Sequence, residues 1–452
     1  MEFIADLHLH SKYSRAVSPR MLLPEMALAA AKKGLNLITS GDFTHPLWLR
    51  DIKAELKETN DGIYKLKSQA DNNVRFLLTT EISNIYKQEG KVRRIHNLVF
   101  APNIEIVEKI NKELLRRKCN LSSDGRPIIG LSSKNLLELL LNIDKKIILI
   151  PCHVWTPHFG IYGSASGFNS IHECFEKLSS HIYGIETGIS SDPWMNWQIG
   201  ELKNRSILSF SDAHSLPKMG REATVFEINK TLDNLSYMDV GKAISYPMRK
   251  KSGRNVVGEL GVSFTIEFYP EEGKYHYTGH RNCKVIKSPA QIKEGGNICP
   301  VCSKKLTEGV MHRVQSLSGD SNFKPYNTHT DSKGVLWIDD PFKNHPSFVK
   351  LVPLDEIIAE SLNSTAGAKK VQAEYDKLCL QLGSELNILI KTPIRDIFKL
   401  AGERMAEGIE KVRSGDIVIE PGYDGEYGKV RIWSKNISKQ EEDKNLQINF
   451  GI

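Results

Sequence analysis

Asp6-Leu7-His8-Leu9-His10-Ser11 follows the apolar run Phe3-Ile4-Ala5. Side chains two apart on an extended backbone point to the same side, so His8 and His10 pair as nitrogen ligands without long-range folding. Further potential ligands stand at the predicted ends of strands: Asp42 in Ser40-Gly41-Asp42-Phe43-Thr44-His45, Glu81 in Thr79-Thr80-Glu81, His96 ahead of Asn97-Leu98-Val99-Phe100, His153 in Ile150-Pro151-Cys152-His153, and Asp212 with His214 in Ser211-Asp212-Ala213-His214. A lone histidine is more often a core or surface residue than a ligand; the recurrence at strand ends carries the case. Imidazole and carboxylate ligands suit zinc, manganese or iron, and no thiolate stands in the set to specify one. Adjacent cations acidify a water between them, bind phosphate oxygens and neutralise a leaving oxygen, so phosphoester hydrolysis is the expected reaction. No G-x-S-x-G elbow supports a serine nucleophile instead.

A second cluster lies further along. His280-Arg281-Asn282-Cys283 and Cys299-Pro300-Val301-Cys302 give H-x2-C and C-x2-C knuckles fifteen residues apart. His280, Cys283, Cys299 and Cys302 would close a tetrahedral site with no open position, which makes one structural zinc the expectation. His276 competes for the fourth place, and His280 is preferred because its spacing repeats that of the other knuckle. Arg281, Lys284, Lys287, Lys293, Lys304, Lys305 and Arg313 surround the cluster, interleaved with Tyr275, Tyr277 and His312. Charge runs are usually solvated faces, but beside a phosphoesterase centre they suit nucleic-acid phosphates.

The elements that must position these residues alternate. Short apolar runs around residues 3–5, 35–39, 74–78, 98–100, 147–150 and 207–210 are separated by helical patterns, which reads as β/α with parallel strands in a barrel or a doubly wound sheet. Residues 24–33 form a predicted helix entered through proline and stopped at Gly34, and residues 133–143 another with leucines at helical spacing. The expected segments are 1–247 for the metal-binding domain, 248–345 for the zinc module with its basic linker Met248-Arg249-Lys250-Lys251-Ser252-Gly253-Arg254, and 346–438 for a helical domain ending in a hairpin at 417–432. Residues 439–452 read as a polar tail. With 40% hydrophobic and 25% charged residues, the 452-residue composition weighs against collagen-like and wholly disordered chains. A net charge of +7 permits a polyanionic partner without requiring one. Seven cysteines, of which Cys119, Cys152, Cys174 and Cys379 read as buried thiols, suit a reducing compartment. No run of about 18 apolar residues and no signal-peptide pattern occurs, so a cytoplasmic protein without a membrane partner is expected.

Together, His8, His10, Glu81, His96, His153 and Asp212-Ala213-His214 resemble the motifs of the PHP (polymerase and histidinol phosphatase) family. That resemblance implies a distorted seven-stranded β/α barrel holding two or three divalent ions (Zn, Mn or Mg). It implies that His8, His10, Glu81 and Asp212 hold one ion, that Glu81 bridges to a second held by His96 and His153, and that His214 serves a third. At the third ion the chain departs from the pattern, with Asp42-Phe43 and Arg15-Ala16 where many members carry other ligands; Asp42 or His45 are the substitutes to examine. Residues 1–16, Ser211-Asp212-Ala213-His214-Ser215-Leu216 with Gly220-Arg221-Glu222-Ala223, Gly279-His280-Arg281 with Cys283, and Ile298-Cys299-Pro300-Val301-Cys302 with Val310-Met311-His312-Arg313-Val314 are together similar to the endonuclease Q family. Membership implies a DNA repair nuclease that nicks on the 5′ side of a deaminated base (uracil, hypoxanthine, xanthine) or an abasic site, leaving a 3′-hydroxyl and a 5′-phosphate, and working with replication or repair proteins. Reading a deaminated base calls for an extrahelical pocket, for which 155–164 and 190–197 are the candidate loops. Lys12, Arg15, Arg221 and Arg281 are the candidate DNA contacts. The competing readings are a phosphatase acting on a small phosphomonoester and a DNA-binding protein without catalysis.

Overall fold

The computed structural model describes residues 1–68, 73–245, 261–319 and 323–434. The expected boundary at Pro247, the basic linker and the polar tail lie outside the described residues. The fold is mixed α/β. Strand Glu2–Asp6 runs parallel to Leu37–Thr39, which runs parallel to Arg75–Gln88. From there the order departs from the expected parallel series. Arg75–Gln88 turns through Glu89-Gly90, both at positive φ (51° and 75°), into the antiparallel strand Lys91–Ala101. A two-residue turn with both central residues left-handed matches the twist of a hairpin. Lys91–Ala101 then pairs antiparallel with Ile148–Pro151, and Gly184–Glu186 pairs parallel with Ser206–Leu208. Val154 N–H donates to the Glu186 carbonyl at 3.1 Å, and His10 N–H to the Ala213 carbonyl at 3.3 Å. The strand run thus returns to its start at the end where the histidines stand.

Successive residues of these strands enter two different apolar clusters. Leu37, Leu77, Leu98, Phe100, Ile148, Ile150 and Leu208 pack together in one, while Ile38, Phe76, Leu78, Val99, Leu149 and Ile207 pack in the other. Both faces are therefore buried, which is why the strands read as continuous apolar runs. Helix Leu23–Lys33 begins at proline and ends where Gly34 takes the left-handed conformation and donates to Ala30 and Ala31; it buries Met26, Ala27 and Ala30 against the sheet cluster. Helix Ser133–Ile143 occupies the predicted span, with the Ser132 side chain accepting from Asn135 N–H at its start.

The sheet does not stop with the histidine-bearing region. Ala223–Glu227, antiparallel to Glu2–Asp6, pairs on its other edge with Gly261–Glu267, which leads through Phe348–Lys350 and Leu336–Asp339 to Asn327–Thr330. The C-terminal helices Leu354–Ser361, Lys369–Leu382, Glu385–Ile390, Ile394–Ala401 and Glu403–Ser414 are tied in by two buried charges. Arg413 donates to the carbonyls of Ile388, Leu389 and Thr392, the C-terminal end of a helix where a cation is favoured. Lys33 pairs with Glu385 at 2.6 Å, both nearly inaccessible. Val418–Glu420 and Lys429–Arg431 form the expected antiparallel hairpin.

Candidate metal centre

Two groups of ligand atoms converge where the strands meet. His8, His10, Glu81 and Asp212 offer one atom each within 4.8 Å of one another, and Glu81, His96 and His153 form an adjoining group with the same spread. Glu81 joins them. Its Oε2 lies 3.3 Å from His10 Nε2 and 3.7 Å from His8 Nε2, while its Oε1 lies 2.5 Å from His96 Nδ1 and 3.0 Å from His153 Nε2. Asp212 Oδ1 closes the first group at 3.0 Å from His10 Nε2. His8 Nε2 is buried without a hydrogen-bond partner, an expensive arrangement unless a cation completes it. The donor set therefore fits divalent metal.

Glu81 and His96 do not end strands, as the sequence reading expected. They sit within the long hairpin, Glu81 opposite Leu98 and His96 opposite Ser83. A strand that lines a polar site carries polar residues, here Thr79-Thr80-Glu81, so the apolar pattern stops where the strand continues.

Electrostatics follow the geometry. Burial alone would raise Glu81, yet the His96 imidazole and the Arg126 guanidinium hold its carboxyl well below the ordinary range. Burial pushes His96 down to about 4. Burial would also lower His8 and His10, but Glu186 and Asp212 around the first and Asp42 and Asp212 around the second raise both well above the usual value. A cation entering the first group must displace those protons.

Supporting residues fix the ligands. Glu186, which the sequence reading missed, accepts from His8 Nδ1 at 2.8 Å with one oxygen and from His153 N–H at 2.9 Å with the other. It ends a strand after an apolar run, the same signature that marked the other acids. Asp42, expected among the ligands, stands behind His10: it is 3.0 Å from His10 Nδ1 and accepts from Ser11 N–H at 2.6 Å and Ser14 Oγ at 2.9 Å. Asp42, His153 and Asp212 all lie in the left-handed region, at φ 44°, 30° and 47°, which for such residues persists only where surroundings enforce it. At His153 the enforcement is visible: a Cβ on Gly188 would meet His153 Cβ at 2.3 Å, so only glycine lets the two loops approach. Cys152, left outside the cluster by the sequence reading, lies with His8 and Glu186, and burial raises its thiol well above the ordinary range.

The remaining candidates divide. His214 stacks obliquely on His10, ring centres 4.7 Å apart, with Nδ1 against the Asp212 carbonyl at 2.8 Å. Arg221 spends Nε and Nη2 on the Ser211 carbonyl, at 3.2 and 3.0 Å, and so props the Asp212 loop. Lys12 lies over the Tyr13 ring, and Arg15 is three-quarters exposed beside Asp124. Arg281 N–H donates to Asp424 at 2.7 Å. In the two candidate base-reading loops, Trp155 Nε1 donates to Asn196 at 2.8 Å and Trp194 Nε1 to the Lys324 carbonyl at 2.9 Å, so both indoles are engaged in packing.

At the cysteine cluster, His280, Cys283, Cys299 and Cys302 present ligand atoms within 4.8 Å, with His280 Nδ1 3.3 Å from Cys302 Sγ. His276 is not among them; it is buried against Tyr277. Although burial opposes it, backbone N–H groups of Cys302 and Val301 and the His280 side chain draw the Cys299 thiol down to about 6, which favours the thiolate a metal needs. Cys152 and Cys174 are buried as expected, whereas Cys119 and Cys379 are only partly buried. Among the described residues, no helix is long and apolar enough to cross a membrane.

Fold and site define an α/β protein with a histidine–carboxylate candidate metal centre and a separate zinc-ribbon-like Cys/His cluster. Residues 353–416 match the family model of the MJ0043 C-terminal domain. The protein MJ0043 of Methanocaldococcus jannaschii is 30% identical over 297 residues, which cover 65% of this chain and 33% of that protein, so the chain spans about a third of that relative's length. The lesion-specific endonuclease PfuEndoQ from Pyrococcus furiosus superposes with a TM-score of 0.78 and 28% identity, covering 99% of both chains. An endonuclease Q complex with a 27-mer duplex substrate bearing an abasic lesion at the active site superposes at 0.77 and 28%, covering 97% of this chain and 100% of that one. The resemblance to endonuclease Q thus runs the whole length of the chain.

Proposed function

We propose that this chain is a metal-dependent DNA endonuclease that hydrolyses the phosphodiester on the 5′ side of a deaminated base (uracil, hypoxanthine or xanthine) or an abasic site, leaving a 3′-hydroxyl and a 5′-phosphate. The observation that carries the reading is the full-length superposition, at a TM-score of 0.77, on an endonuclease Q bound to an abasic duplex. His8, His10, Glu81 and Asp212 would hold one divalent ion and Glu81, His96 and His153 a second, with a structural zinc on His280, Cys283, Cys299 and Cys302. Bound metals supply water activation and charge neutralisation at the leaving oxygen.

The chain's own residues supply the rest. Glu186 and Asp42 hold the Nδ1 atoms of His8 and His10, so that each ring turns Nε2 toward the shared centre. The water oxygen forms a bond to phosphorus and gives up a proton to solvent, the bond from phosphorus to the preceding 3′-oxygen breaks, and that oxygen leaves with the electron pair and takes a proton from solvent to become the 3′-hydroxyl. Lys12, Arg15 and Arg281 would contact the DNA backbone; Arg221, held by the Ser211 carbonyl, would act mainly by keeping Asp212 in place.

End-labelled duplexes carrying one uracil, hypoxanthine or abasic site, beside an unmodified duplex and p-nitrophenyl phosphate, test the reading. A single nick immediately 5′ of the lesion, abolished by EDTA, is expected. Release of free base, a nick on the 3′ side, or turnover of p-nitrophenyl phosphate alone would overturn it. Binding should weaken steeply with salt while the preference for damaged DNA changes less.

A further inference from the structure

We propose that Arg126 is a catalytic residue of this centre: its guanidinium holds a non-bridging oxygen of the scissile phosphate and supplies positive charge beside the ligand set. The proposal rests on the phosphodiesterase reading and names a residue which that reading does not use.

Among the described residues, those for a third ion are not gathered. Asp42 is committed to His10, Ser11 and Ser14. His45 stacks on Tyr13, ring centres 4.4 Å apart and nearly parallel. Among the described residues, no candidate ligand group includes His214. A fixed cation stands beside the ligand set instead. Arg126 Nη1 lies 3.0 Å from Glu81 Oε2, the oxygen that faces His8 and His10, and its charge acts on both Asp212 and His214. A quarter of the side chain is exposed. Its Nε and Nη2 make no hydrogen bond among the described residues, so the guanidinium touches the ligand set with one nitrogen and keeps donors for an incoming oxyanion.

The loop carrying it is built for placement. A Cβ on Gly125 would fall 2.3 Å from Ser14 Oγ and 2.4 Å from Asp42 Oδ2, so only glycine allows the backbone to press against the Asp42 site. Gly125 N–H donates to the Tyr13 carbonyl at 3.1 Å, Thr44 Oγ1 to the Gly125 carbonyl at 3.3 Å, and Ser83 N–H to the Pro127 carbonyl at 3.0 Å. Asp124 Oδ1 accepts from Arg126 N–H at 3.1 Å. Arg126 is thereby tied to the segment after the His8/His10 strand on one side and to the strand bearing Glu81 on the other. As the water oxygen bonds to phosphorus and the 3′-oxygen departs, charge on the equatorial oxygens is met by a donor already in position. Arginine keeps its proton throughout.

The test compares wild type with R126Q, R126K and R126A, each metal-replete. R126Q is expected to retain wild-type metal content and melting temperature, to bind abasic duplex in EDTA within about threefold, and to lose ~10²–10³-fold in kcat. Guanidinium chloride should restore part of the rate to R126A, and R126K should recover less than rescue by a planar donor implies. Independently of turnover, calorimetric titration of the metal-loaded protein with inorganic phosphate should show ~10-fold weaker binding by R126Q. Wild-type kcat with unchanged phosphate affinity in R126Q overturns the proposal. So does loss of metal from R126Q, which would make the residue a support for Glu81. If the wild type nicks no lesion with any metal, the endonuclease reading fails, and the phosphate titration still decides the role of Arg126.

Discussion

Glu186 Oε1 lies 2.8 Å from His8 Nδ1, joining residues 178 positions apart in the chain, and its other oxygen holds the backbone of His153. One buried carboxylate thus orients a member of each ligand group. Removing a group that orients a ligating imidazole typically costs 10–100-fold in metal affinity. E186A should therefore bind zinc about 10–100-fold more weakly in competition with a chromogenic chelator, and E186Q less severely. Wild-type affinity in E186A would contradict this role.

Asp212 closes the first ligand group, and D212A should lower strand cleavage by more than ~10³-fold while abasic-duplex affinity survives, because the cysteine cluster and basic surface remain. H8A should behave alike and show fewer bound ions by elemental analysis. Near-wild-type turnover by D212A in metal-replete buffer would remove it from the machinery.

The cysteine cluster buries only a small apolar patch, Ile292 and Leu306 beside Cys299. Without metal such a module cannot hold its fold, since structural zinc contributes about 10–16 kcal/mol in small fingers. C299S and H280A should each lose one equivalent of zinc and weaken DNA binding, with the chemical step intact on DNA that is bound. H276A should keep its zinc and lose only stability, because His276 lies in the core and not among the ligands.

Lys33 and Glu385 pair at 2.6 Å out of solvent, and Tyr375 OH also donates to Glu385 at 2.7 Å. Breaking one partner leaves the other buried and uncompensated, a loss of about 3–5 kcal/mol. K33A and E385A should each unfold at markedly lower denaturant, while K33M/E385L should recover much of the loss. Additive losses in the double variant would rule out a coupled pair.

Burial pushes Glu267 well above its ordinary 4.5, although hydroxyls of Ser209 and Thr265 favour its charged form, and Glu222 nearby is raised with it. The folded chain then keeps a proton that the unfolded chain releases near pH 4.5, so stability declines as pH rises above about 4.5. E267Q cannot titrate. Its melting temperature should gain on wild type across that window, by about 2–4 °C for each kcal/mol. A difference flat with pH would show that Glu267 is ionised throughout.

Local spacing made some of this legible. His8 and His10 pair because alternate residues of an extended segment share a side, and the two knuckles around His280, Cys283, Cys299 and Cys302 declare a metal by residue type and interval. Helices Leu23–Lys33 and Ser133–Ile143 were readable from their end signals and apolar spacing. What the sequence by itself determined is therefore the chemical inventory and the local geometry that presents it. Tertiary structure alone decided that Glu81 and His96 meet diagonally across the middle of a hairpin, that Asp42 supports His10, and that Glu186 and Arg126 belong to the centre. Each of those roles depends on a contact between segments distant in the chain, set by strand register and loop packing. The polar residues that line the centre interrupt the very hydrophobic pattern from which register is read.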